Sequence, residues 1–142
     1  MLTRNEKQLE YLKENNITLD YFPMQKVRGL CCIYNKQKHI CLNSNSVLSQ
    51  TSSFWVIEHE LAHLESKALY TLNSSTREIK KAERKANDKM ILKHELPLKV
   101  LDLLKRGFEK CEIVDHLEIT YNVIDSCIDY LYRKGYIYNN QF

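Results

Sequence analysis

Residues 54–64 read Phe54-Trp55-Val56-Ile57-Glu58-His59-Glu60-Leu61-Ala62-His63-Leu64, and this stretch decides the fold. It is rich in apolar residues and free of Gly and Pro. A polar loop over 43–53 precedes it, and the Ser and Thr residues there offer N-caps. A helix is therefore predicted from about residue 52 to residue 68. On that helix His59 and His63, four apart, project from one face. Two imidazoles side by side can hold one zinc ion, and Glu60, one position on, can reach a water on that metal. Two His ligands and a Glu general base are the working parts of a zinc hydrolase. His94-Glu95-Leu96 starts the same way, but Leu98 stands where the second His is needed.

A hydrolytic zinc site takes three protein ligands and leaves one position open. The third is expected from a neighbouring element. Residues 76–92 hold apolar Ile79, Ala82, Ala86 and Met90 at helical spacing, with no Gly or Pro. Thr76, after Ser74-Ser75, is the expected N-cap. Glu83 shares the inward face with Ile79, Ala82 and Ala86, whereas Glu78 points elsewhere. A carboxylate on a buried face needs a partner, which makes Glu83 the expected third ligand. Asn87, one turn on, is placed to accept the free ring N–H of a ligand His and so fix its tautomer.

His59-Glu60-Leu61-Ala62-His63, followed by Glu83-Arg84-Lys85-Ala86-Asn87, resembles the ImmA/IrrE family of metallopeptidases. That family shows H-E-L-x-H and then E-x-x-A-N on the next long helix. Val27-Arg28-Gly29-Leu30 and Ile40-Cys41-Leu42-Asn43 are similar to its small hairpin ahead of the zinc helix. The resemblance covers roughly residues 5 to 135, and its two zinc motifs are specific as a pair. The chain departs from the pattern at Lys89, where the family has Phe, and at Ala62, where Gly is common. The resemblance implies a cytosolic zinc endopeptidase whose substrate is a helix-turn-helix repressor of a phage or mobile element. Cleavage would then release silenced genes.

Composition bounds the rest. A chain of 142 residues, 44% hydrophobic, is one domain or a domain with a small appendage. Three Gly and two Pro predict a helical protein with few tight turns. Five cysteines without paired C-x-x-C spacing read as reduced thiols. No apolar run approaches a membrane span, and Met1-Leu2-Thr3-Arg4-Asn5-Glu6 has no apolar signal core. A cytoplasmic location is expected.

Ahead of the zinc helix, a helix is predicted over 5–15 and an extended segment over 17–23. Strands are predicted over 28–34 and 39–42, turning at Asn35-Lys36-Gln37-Lys38. Pro97 marks a break after the second long helix. Residues 98–105, 111–117 and 121–134 then read as helices, with Gly107 as a C-cap, Thr120 as an N-cap, and Tyr136-Ile137-Tyr138 as a short strand or wing. The short turn Glu118-Ile119-Thr120 gives residues 97–142 a helix-turn-helix look. From Pro97 onward there are six basic and seven acidic residues, and Asp125 and Asp129 face outward from the last helix. That charge repels phosphate, so a protein rather than nucleic acid is the expected partner.

The expected fold is α+β and mostly helical. A zincin-like metallopeptidase core with a small N-terminal β-hairpin occupies 1–96, and a helix-turn-helix-like unit occupies 97–142. The expected site is a Zn2+ held by His59, His63 and Glu83, with Glu60 catalytic and Asn87 behind the ligands. Two other readings stand beside the endopeptidase: a zinc-containing antirepressor that binds its partner without cutting, and a DNA-binding regulator.

Overall fold

In the computed structural model, which describes residues 1–46 and 48–138, three strands form one mixed sheet. They are β1 (Ile17–Phe22), β2 (Gly29–Tyr34) and β3 (Gln37–Asn43). Asn35 and Lys36 between the last two have φ of 50° and 64°, the backbone that a two-residue hairpin turn requires. The expected hairpin thus forms, with Tyr34 opposite Gln37 and Gly29 opposite Leu42. β1 runs parallel to β3 on its other side, so the order is β1-β3-β2. This leaves β2 at an edge.

Two helices pack with the sheet: α1 (Arg4–Glu14), capped by Thr3, and α2 (Gln50–Ser66), capped by Ser49. Leu12, Ile17, Ile40, Leu42, Ile57, Leu61 and Leu64 make the shared core. α2 is buried over much of its surface, through Phe54, Trp55, Ile57, Leu61, Ala62 and Leu64. Its approach to β2 is close. A Cβ on Gly29 would stand 2.8 Å from Val56 Cγ1, so glycine is needed there. The buried Gln8 amide donates to the Phe54 carbonyl at 2.9 Å and to Glu58 Oε2 at 3.2 Å, tying α1 to α2 through a polar contact.

α3 (Thr76–Lys93) is the second long helix. Its cap is Ser75, not Thr76. The Ser75 hydroxyl accepts from the Glu78 N–H at 3.1 Å, and the Glu78 carboxylate accepts from the Ser75 N–H at 3.4 Å. This reciprocal capping box draws the helix start one residue forward of the sequence expectation. His94 and Glu95 form the turn after α3, with Glu95 at φ 55°, so the motif-like His94-Glu95 is not helical.

The remaining helices are α4 (Leu96–Lys105), α5 (Lys110–Leu117) and α6 (Tyr121–Arg133). Among the described residues there are six helices and three strands, an α+β and mostly helical architecture. Pro97 lies in the first turn of α4, where its missing N–H leaves no hydrogen bond unmade. The chain divides into two compact units, Met1–Ala86 and Asn87–Phe142, with the boundary inside α3. The last turns of α3 belong to the second unit, where Asp88 accepts from Arg133 at 2.6 Å. Ile91, Val100, Ile113, Ile124, Cys127 and Leu131 are its most buried side chains among the described residues. Thr120 caps α6 as expected.

No strand forms at residues 136–138. The Tyr136 N–H instead closes the end of α6 by donating to the Leu131 carbonyl at 2.9 Å, and Ile137 is buried. No helix among the described residues is long and apolar enough to cross a membrane. All five cysteines are free thiols.

Candidate metal centre

His59 and His63 stand one turn apart on α2, their rings 4.7 Å between centroids and nearly perpendicular at 87°. Each turns its Nε2 to a common point, and the two nitrogens are 3.1 Å apart. Glu83 on α3 closes the group. Its Oε2 is 2.8 Å from His59 Nε2 and its Oε1 3.2 Å from His63 Nε2. One ligand atom from each of the three residues lies within 4.8 Å of the others, and the three are the metal-competent cluster among the described residues. Zinc bonds of 2.0–2.2 Å in a tetrahedron put donor atoms about 3.3 Å apart. The spacing here is within a few tenths of an ångström of that, and two imidazoles with one carboxylate suit zinc chemically. The donor set fits the ion that the sequence implies.

The residues after α2 hold this group in place. Lys67 adopts the left-handed conformation, φ 56° and ψ 26°, and caps the helix. The chain reverses there, so the Ala68 carbonyl accepts from His63 Nδ1 at 2.6 Å. A carbonyl can only accept, so Nδ1 carries a proton; Nε2 then presents a lone pair to the cluster in the neutral ring and an N–H to Glu83 in the charged one. Two residues on, the Tyr70 hydroxyl donates to Glu83 Oε1 at 2.7 Å, and its ring lies 6.0 Å from that of His63.

Charge within the cluster follows from these contacts. Burial disfavours the ionised Glu83 carboxyl, but hydrogen bonds from His59, His63 and Tyr70 overcome it and hold the pKa well below the usual carboxylate range. Burial likewise disfavours a charged His63, but the Glu83 and Ala68 contacts prevail and raise its pKa. Tyr70 is pushed up to about 12, by burial and then by Glu83. It remains a neutral donor across the physiological range.

Glu60 sits beside the cluster on α2, only 8% exposed. Burial raises its pKa, while the charges of His59 and His63 and the Cys31 thiol oppose that rise. Cys31 on β2 faces the Glu60 carboxylate, and burial followed by the Glu60 charge drives its own pKa upward. Glu60 is therefore a desolvated carboxylate close to three candidate ligands but outside the ligand set. A raised carboxyl pKa brings a base nearer to neutrality, where proton transfer is most effective.

The structure brings His59, His63 and Glu83 together and sets Glu60 next to them. Asn87 does not join their hydrogen bonds. It is half-buried, one turn past Glu83, and of the two ligand rings it could have served, the His63 N–H is taken by the Ala68 carbonyl. Tyr70, Ala68 and Cys31 are additions that the motif does not name. Tyr70 carries no periodic signal because it lies outside any helix. Cys31 alternates with Cys32 across the sheet and only pairing places it inward. No protein-family model, curated protein or solved structure matches this chain.

Proposed function

We propose that the chain is a zinc-dependent endopeptidase of the ImmA/IrrE type, with a zincin-like core and a helix-turn-helix-like unit at its C-terminal end. Its substrate in this reading is a regulatory protein, a helix-turn-helix repressor of a phage or mobile element. The observation that carries the reading is the His59–His63–Glu83 cluster, with donor atoms 2.8 to 3.2 Å apart and a buried carboxylate beside it.

Zinc, when bound, supplies Lewis acidity for a carbonyl and acidifies a water. The chain's own residues do the rest. His59, His63 and Glu83 hold the ion. Ala68 keeps the His63 proton on Nδ1, and Tyr70 orients the Glu83 carboxylate. Glu60 removes a proton from the attacking water and passes it to the departing amine nitrogen. The peptide C–N bond breaks as the new C–O bond forms, leaving a carboxylate and an amine.

A purely structural zinc site is normally closed by a fourth protein ligand. Among the described residues the candidate set stops at three. That favours a hydrolytic site over a zinc-stabilised binding protein. The test is co-expression with a helix-turn-helix repressor encoded beside the gene. A repressor fragment should appear with the wild-type chain and be absent with Glu60→Gln. Persistence of the fragment in the variant would rule the mechanism out.

A further inference from the structure

The outward face of α3, opposite Ile79, Ala82 and Ala86, carries Arg77, Lys80, Lys81, Arg84 and Lys85 within its first three turns, and all five are exposed. None of them is joined to a carboxylate by any ion pair or hydrogen bond among the described residues. The acids that could serve are engaged. Glu83 belongs to the metal cluster, and the Glu78 carboxylate accepts from the Ser75 N–H. Arg77 with Lys81, Lys80 with Arg84, and Lys81 with Lys85 are like charges four apart, an arrangement that weakens a helix. The fold bears this repulsion with no internal partner to relieve it.

We propose that this face binds the phosphate backbone of nucleic acid. A folded protein partner would be anchored by buried aromatic or apolar groups, and the five positions offer none. Five cations over nine residues of one helix span about 12 Å at 1.5 Å per residue, enough to meet phosphates along a strand. Contacts of this kind position a protein without reading sequence. The face lies on α3, outside the acidic stretch from Pro97 onward, so it does not depend on that stretch acting as a DNA reader. It is also independent of the endopeptidase reading.

The test is fluorescence anisotropy of the full chain with a labelled duplex of arbitrary sequence, titrated between 50 and 200 mM salt. The slope of log affinity against log salt is about −0.9 per neutralised phosphate. Three to five contacts therefore predict a loss of roughly 40- to 500-fold across that range. The triple variant Lys80→Gln/Lys81→Gln/Lys85→Gln should flatten the slope by about 2.7. It should also melt no lower than wild type, because it removes repulsion rather than packing. Lys80→Arg/Lys81→Arg/Lys85→Arg should bind as wild type does. No duplex binding at the lowest salt, or a salt slope unchanged in the glutamine variant, would overturn the proposal. So would capture of a poly-glutamate peptide by a chain that ignores the duplex, since that would identify an acidic protein segment as the partner.

Discussion

Tyr70→Phe removes one oxygen atom and should weaken zinc binding without touching a ligand. The phenol O–H donates to Glu83 Oε1 at 2.7 Å, while Glu83 Oε2 faces His59 at 2.8 Å. Tyr70 thus holds the carboxylate oxygen that lies 3.2 Å from His63 Nε2, while the other faces His59. A hydrogen bond to a charged acceptor contributes about 1.5–3 kcal/mol when sheltered. Tyr70 is 44% exposed and the Glu83 side chain 34% exposed, so solvent screens part of this. About 1 kcal/mol is a fair discounted figure, or roughly five- to tenfold in affinity. That lies at or just below the bottom of the roughly 10- to 100-fold range for groups that orient metal ligands, as its exposure requires. The assay is competition for zinc against a chromophoric chelator, with circular dichroism as the control for folding. Tyr34→Phe, on the exposed end of β2, should leave the affinity unchanged. If Tyr70→Phe binds zinc as tightly as wild type, the Tyr70–Glu83 contact does not orient the ligand. If wild type binds no zinc, the metal reading itself fails.

Glu60→Gln should retain about one zinc and the fold, yet lose cleavage by roughly 10²- to 10⁴-fold, the range for a general base; zinc content and the rate of substrate loss check this together. In chelator, His63 has a raised pKa, so its stabilising contribution is complete below the unfolded value near 6.5 and fades as pH rises through the folded value. Glu83 has a lowered pKa, so its contribution is complete above about 4.5 and fades as pH falls toward the folded value. Zinc needs the His63 Nε2 lone pair, so the gain in melting temperature on adding zinc should widen from pH 5 to pH 8; a gain that does not vary with pH would contradict the assignment. Gly29→Ala should destabilise the chain by about 1–3 kcal/mol through overpacking, since its Cβ would meet Val56 Cγ1 at 2.8 Å. Denaturant melts should show Val56→Ala recovering part of that loss in the double variant, because the second contact, the Cys41 carbonyl at 3.2 Å, remains.

What could be read from the sequence is what depends on local spacing. His59 and His63 share a face because a helix repeats every 3.6 residues, and Glu83 falls inward because Ile79, Ala82 and Ala86 define the buried side of its own helix. The hairpin was legible from two short apolar runs and a polar turn, although nothing local announced that β1 would pair parallel to β3. The supports of the metal cluster were hidden for a definite reason. They depend on Lys67, a residue with a Cβ in a left-handed conformation that glycine more often fills. No pattern in the sequence marks it. Once the chain turns there, Ala68 supplies a carbonyl to His63 and Tyr70 a hydroxyl to Glu83, from the same short connection. That also explains why Asn87 was the natural candidate and yet stands outside the hydrogen bonds. Helical spacing offered the nearest side-chain amide, while the backbone reversal delivered to His63 a main-chain carbonyl that needs no particular residue. Ligand identity is therefore written in side chains, and ligand orientation in the path of the three residues, Lys67 to Leu69, between the end of α2 and Tyr70. Substitutions that alter the turn at Lys67 should reach the metal through Ala68 and Tyr70 together, and they should do so without changing any donor atom.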